Sequence, residues 1–205
     1  MPALDVTGCD FHPVIRLPPG YEVFDFTRGY DPHRALASPY GVGRYDEKRR
    51  GMYVDELFAG ASGAGGTGVR DVHVGIDLGA PAGEPVHAFW QGTIHKLGYN
   101  AAPGDYGHTL VTHHVIGGRD LWVLFGHLSA RSLEGRAERQ PFARGEVLGW
   151  VGDRHENGGW NPHVHVQLSL VRPEVADLPG AVSDADRAEA LRRYPDPRLV
   201  LGPIY

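Results

Sequence analysis

A single cysteine, Cys9, stands in 205 residues, which excludes an intrachain disulfide and suits a reducing compartment without requiring one. Long apolar runs are missing too, since no stretch approaches the roughly 18–20 residues that a membrane-spanning helix needs. Positive charge is not in excess: 20 Lys and Arg face 25 Asp and Glu, for a formal net charge of -5. That balance argues against nucleic acid or an anionic membrane as partner. The N-terminal residues carry neither a basic run nor a continuous apolar one. The sequence as it stands therefore predicts a cytoplasmic location, with the cell envelope as the alternative if export uses an unrecognised route. Val6-Thr7-Gly8-Cys9 has the form of a lipoprotein cleavage box, but the residues before it are too few to form the export helix such a box follows.

Glycine and proline, by contrast, are plentiful at 29 and 16 residues, and 41% of the chain is hydrophobic. This composition predicts a turn-rich, mainly β domain with material for a core. Residues 1–68 read as an N-terminal extension of short apolar pieces that ends in a Gly-rich linker at 59–68. Within it, Asp31-Pro32 reads as the start of a short helix running to about Ser38, and Asp46–Arg50 as a solvated, charged turn. Residues 69–172 change to period-two alternation. Val72, Val74, Ile76 and Leu78 alternate with polar or small residues, as do Val164, Val166, Leu168 and Leu170, while Leu121–Phe125 is apolar on both faces. Turn signals such as Ala102-Pro-Gly104 and Asn157-Gly-Gly159 separate these runs, which predicts antiparallel sheets folded on each other. Residues 173–205 hold one expected helix, capped by Ser183 and stopped by Pro195, followed by a strap over the domain.

Histidine is the anomaly, with 12 in the chain and ten of them between His73 and His165. In His163-Val164-His165 the two imidazoles share one face of a strand, roughly 6.6 Å apart along it. They can address one small centre, although an isolated pair of this kind is more often merely solvated. In His73-Val-Gly-Ile-Asp77 the end residues also share a face, but an ideal strand separates them by about 13 Å. Gly75 between them is where a bend or bulge could bring the two ends together, although taken alone the pair reads more often as an ordinary strand. Combined, His73, Asp77 and His165 supply three N/O ligands, the composition of a catalytic zinc site with a fourth position open. His127 ends an apolar strand, and its significance depends on whether the others assemble nearby. No HExxH occurs, so a glutamate base of the usual zincin kind is missing.

The stretch Arg70-Asp-Val-His-Val-Gly-Ile-Asp-Leu-Gly-Ala-Pro-Ala-Gly-Glu-Pro-Val-His-Ala88 resembles the signature of the lysostaphin-type, LytM-like zinc metallo-endopeptidases that cut peptidoglycan cross-bridges. Tyr106-Gly107, Phe125-Gly-His-Leu-Ser129, Gly145-Glu-Val-Leu-Gly149 and Asn161-Pro-His-Val-His165 follow in that family's order. The likeness spans about residues 70–170. It implies a two-sheet sandwich or barrel-sandwich hybrid, zinc (Zn2+) as cofactor, and a peptide or peptidoglycan stem as substrate. It also implies His73, Asp77 and His165 as ligands, with His127 and His163 as the catalytic pair beside the water that the metal activates. His108, Gln167 and the segment His155-Glu-Asn-Gly-Gly-Trp-Asn161 depart from the family's pattern and leave substrate choice open. Trp160, Trp90 and Tyr106 are candidates to line a groove, and His113 either orients a ligand or belongs to the surface. A metal-binding regulatory or interaction module of the same fold, cytosolic and without hydrolysis, is the alternative. A cupin-type dioxygenase also uses HxH, but Ser169 and Leu170 stand where its glutamate belongs.

Overall fold

A computed structural model describes residues 4–31, 37–59 and 68–205. The short helix expected after Asp31 and the body of the Gly-rich segment fall on residues outside those described. The strands run in order: β1 (Glu22–Val23), β2 (Gly41–Gly43), β3 (Glu47–Lys48), β4 (Val72–His73), β5 (Ile76–Gly79), β6 (Pro85–His87) and β7 (Gly92–Asn100). They continue with β8 (Gly107–Ile116), β9 (Arg119–Leu128), β10 (Pro141–Phe142), β11 (Val147–Trp150), β12 (His163–Ser169) and β13 (Ala181–Val182). Helix α1 (Arg187–Arg193) and the single turn α2 (Arg198–Leu201) close the chain.

Eight strands make one sheet in the order β1-β2-β5-β12-β9-β8-β7-β10, with β1 and β2 parallel and the other neighbours antiparallel. The pair β6 and β11 lies across it, and Val86, Leu148 and Val151 share a core with Ile76, Leu78, Phe125, Val164, Val166 and Leu168. These side chains are buried, and each contributes about 1.5–3 kcal/mol by leaving water. Strand β9 is apolar on both faces because both are covered. Leu121, Val123 and Phe125 enter that core, while Leu124 packs with Val111 under Ala176 and Leu178.

A third, three-stranded sheet, β13-β4-β3, stands beside the first. The chain leaves it after His73 and joins the eight-stranded sheet at Ile76, so Val74 and Gly75 form the corner between two sheets. The N-terminal residues take part in both sheets: β1 and β2 extend the large sheet beyond β5, and β3 pairs with β4 through Glu47 opposite His73. Ser183 caps a turn rather than the helix itself, accepting from the Asp186 amide and donating to its carboxylate 2.7 Å away, and α1 starts at the next residue. No helix among the described residues is long and apolar enough to cross a membrane.

Candidate metal centre and active site

The corner at Val74-Gly75 does what a straight strand cannot. It brings His73 Nε2 to 3.2 Å from Asp77 Oδ1. Antiparallel pairing of β5 with β12 sets Asp77 directly opposite His165, so the His165 Nδ1 lies 3.0 Å from Asp77 Oδ1 and 3.1 Å from His73 Nε2. Three donor atoms thus mark a near-equilateral triangle. Its edges are close to the roughly 3.3 Å expected between ligands about 2.0 Å from a tetrahedral ion.

The partners of these groups decide whether a cation fits. His73 Nδ1 donates to the Arg44 carbonyl oxygen over 2.8 Å, which leaves a lone pair on Nε2. The Gln167 amide nitrogen donates to Pro179 O, which turns its oxygen toward His165 Nε2 at 3.1 Å. That oxygen accepts the Nε2 proton and leaves the lone pair on Nδ1. Two unprotonated ring nitrogens and a carboxylate oxygen therefore face one point, an arrangement that is repulsive without a cation and that carries the bonds metal-binding histidines make behind the metal. Burial pushes His73 down to about 4, with Arg49 adding to the effect and Asp77 opposing it. Burial would raise the Asp77 carboxyl, but His73 and Arg49 hold it well below the usual range. The residues present fit a divalent metal.

His163 and His127 stand beside the triangle with their rings 4.3 Å apart. His163 is on the His165 face of β12 by simple alternation. His127 gets there by another route. Opposite β9 the pairing jumps from His108–Leu128 to Leu110–Phe125, so Gly126 and His127 together face Thr109. This bulge keeps Phe125 and Leu128 in the core and turns His127 to the site, with His127 in the left-handed region at φ 61°. Each ring donates Nδ1–H to a carbonyl, His127 to Asn157 at 2.8 Å and His163 to Asn161 at 2.6 Å, which leaves both Nε2 atoms as acceptors. Burial lowers the pKa of both rings; His163 and His165 depress His127 further, whereas Asp77 works against the shift in His163.

These five side chains open onto a cavity of about 560 Å³ whose walls include Tyr53, Phe58, Tyr106, Trp160 and Asp177. A smaller one of about 100 Å³, lined by Phe24, Phe26 and Tyr30, also reaches Asp77 and His163. Tyr106 and Trp160 thus line the groove, whereas Trp90 packs against Phe11 and the core instead. His113 belongs to the surface, bonded to Asp120 at 2.7 Å and stacked on Trp122.

The reading of Asp46–Arg50 as a solvated turn is overturned for two of its members. Glu47 and Arg49 are buried at 4% and 1% exposure, and the Arg49 Nη1 donates to Asp77 Oδ2 over 2.6 Å. Asn157 is the other residue that sequence reasoning missed. Fully buried, it holds its loop through four side-chain bonds and presents the carbonyl that orients His127. Its position in Asn157-Gly-Gly159 was legible only as a turn.

Residues 71–176, just over half of the chain, match the family described as Peptidase family M23. The DD-carboxypeptidase/endopeptidase Mpg of Neisseria meningitidis serogroup B (strain MC58) is 34% identical over 123 residues, 57% of this chain and 26% of that protein. An uncharacterized metalloprotease of Haemophilus influenzae is 29% identical over 144 residues, covering 67% of this chain and 28% of its own. The chain thus spans about a quarter of the length of these relatives. Among solved structures, lysostaphin from Staphylococcus simulans aligns at 20% identity with a TM-score of 0.48, over 81% of this chain and 53% of that one. The catalytic domain of the prophage-encoded M23 protein EnpA from Enterococcus faecalis aligns at 24% identity and 0.46, over 72% and 92%. The chain belongs to peptidase family M23, the metallo-endopeptidase class that its motifs resemble.

Proposed function

We propose that this chain is a zinc-dependent endopeptidase that hydrolyses peptide bonds of peptidoglycan-like cross-links. One observation carries the reading: His73 Nε2, Asp77 Oδ1 and His165 Nδ1 converge within 3.2 Å of one another while two further imidazoles stand beside them as free acceptors. Two imidazoles and one carboxylate favour zinc over hard cations that prefer oxygen alone. Zinc in that position supplies Lewis acidity and brings the pKa of a water down to about 7.

The rest falls to the chain's own groups. One of His127 and His163 takes a proton from the attacking water at Nε2 and delivers it to the leaving nitrogen. The other, taking a proton from solvent in the open cavity, donates it at Nε2 to the oxygen on which charge develops. The Asn157 and Asn161 carbonyls hold both rings in the tautomer this requires. A cavity of about 560 Å³ lined by Tyr53, Phe58, Tyr106 and Trp160, with Arg70, Asp105 and Asp177 among its polar groups, suits a peptide. The name of the Neisseria relative, a DD-carboxypeptidase/endopeptidase, supports a substrate containing D-amino acids.

The test is digestion of purified cell-wall sacculi and of Gly- and D-Ala-containing model peptides by the full chain, with zinc, with chelator, and with zinc restored. Cleavage that tracks one bound zinc per chain is the expected result. Zinc bound without cleavage of any peptide would replace the enzyme with a metal-binding interaction module, and a chain that binds no zinc would remove both.

A further inference from the structure

Asp77 has two carboxylate oxygens, and the metallopeptidase reading, on which this inference rests, uses only Oδ1. Oδ2 is held by Arg49, a residue 28 positions earlier in the chain. We propose that Arg49 is a positioning residue of the metal centre, fixing Asp77 so that a single oxygen is offered to the ion.

The guanidinium is itself fixed from every side. Its Nε donates to Glu47 Oε2 at 3.0 Å, its Nη1 to the Tyr53 hydroxyl at 3.2 Å as well as to Asp77, and its Nη2 to the Arg44 carbonyl at 3.2 Å. Its flat face lies 5.0 Å from the centre of the Phe26 ring. Glu47 in turn accepts from the Phe26 amide at 3.0 Å, so neither of its oxygens is idle. Planar, multiply bonded and buried, this group holds its geometry whether or not an ion is bound. The Arg44 carbonyl that receives Arg49 also receives Nδ1 of His73. Residues 44–49 therefore orient two of the three candidate ligands at once.

Charge argues the same way. A lone guanidinium beside a divalent cation would oppose its binding, but buried Glu47 neutralises Arg49, and the pair adds no net charge. What remains is direction. An unheld carboxylate turns about its Cβ–Cγ bond and presents either oxygen or both; held at Oδ2, it presents one and leaves the fourth coordination position clear. Gly43 allows the approach, because a β-carbon there would lie 2.7 Å from the Arg49 Nη2 and 2.9 Å from Asp77 Oδ2.

The experiment compares the full chain with Arg49→Lys, with the charge-balanced double variant Arg49→Met/Glu47→Gln, and with Lys96→Met, which breaks the surface pair Lys96–Glu138. The zinc dissociation constant is measured by competition with a chromogenic chelator, the visible spectrum is recorded with Co2+ in place of zinc, and the metal-free proteins are melted. The expected result is a rise in the dissociation constant of about ten- to a hundredfold in the two Arg49 variants. Their Co2+ spectra change, whereas Lys96→Met matches the parent in both readouts. A lysine keeps the charge but cannot reach Asp77, Glu47 and Arg44 together, so it does not rescue. Dissociation constants within threefold of the parent overturn the proposal, even if the metal-free variants melt earlier, because that outcome describes a structural brace. Should the double variant fail to fold, Arg49→Lys decides by the same threshold. A parent chain that binds no zinc refutes the metal reading itself, whereas a parent that binds it beside unaltered variants refutes only the role of Arg49.

Discussion

Gly75 lies directly beneath the imidazole of His165: a β-carbon at position 75 would overlap Cε1 of that ring and come within 3.1 Å of its Nδ1. The same residue turns the corner between two sheets, so it serves the site twice, by bringing His73 and Asp77 together and by leaving room for the third ligand. Substituting Gly75→Ala is expected to displace His165 and abolish stoichiometric zinc binding. Overpacking costs about 1–3 kcal/mol in addition. Elemental analysis of the purified variant, with a thermal melt, checks both, and full zinc content would show that His165 tolerates the methyl group.

Gln167 decides which nitrogen of His165 carries the proton, since its oxygen is 3.1 Å from Nε2. With Gln167→Leu only the Tyr106 hydroxyl, 3.4 Å from Nε2 and able to donate as well as accept, remains there. The tautomer is then no longer fixed, and zinc affinity is expected to fall about tenfold or more. Gln167→Glu keeps an acceptor in place and should restore most of it. Equal affinity in all three proteins, by chelator competition, would leave Gln167 as packing alone.

His127 and His163 donate to backbone carbonyls and not to the ligand triangle. His127→Ala and His163→Ala are therefore expected to keep zinc while losing about 10²–10⁴ in turnover, the usual worth of a proton-transferring group. Asp77→Ala, by contrast, loses the metal. If His127→Ala came away from purification without zinc, its assignment outside the ligand set would fail.

His114 offers a pH test remote from the site. It is buried between Phe89 and Phe142, with Nδ1 on the Gln91 carbonyl at 2.9 Å and Nε2 on the Thr112 hydroxyl at 2.7 Å. Burial lowers it to about 4, against an ordinary 6.5, with His113 adding slightly and the Gln91 bond opposing. A histidine depressed in the folded state adds stability that is fully present above about pH 6.5 and is lost as pH falls toward 4. The shift corresponds to roughly 3 kcal/mol across that window. Urea melts at pH 7, 5.5 and 4.5 should show the parent losing more stability than His114→Gln does. Parallel losses in both proteins would remove His114 from the account.

Much of this arrangement is legible in the chain itself. Strands β9 and β12 follow from their period-two runs, and the common face of His163 and His165 follows from the same rule. The bend at Gly75 is only an option in the sequence, where an ordinary strand is the commoner reading; it is fixed by β4 and β5 pairing into two different sheets. Arg49 and Glu47 do not announce themselves, because a charged residue is buried only when distant partners meet it. Asp77, Tyr53 and the Phe26 amide come from three different places in the sequence. The turn of His127 toward the site is hidden for another reason: a bulge is a property of two paired strands, and nothing in Phe125-Gly-His-Leu128 alone shows that Thr109 faces two residues at once.

The left-handed backbone of His127 has a consequence for anyone hardening this molecule against heat. Asparagine and glycine relax at such a position where an imidazole is under tension, so a screen for thermal survival alone would favour their codons there. Directed evolution run without a turnover assay would then yield a sturdier and inert scaffold.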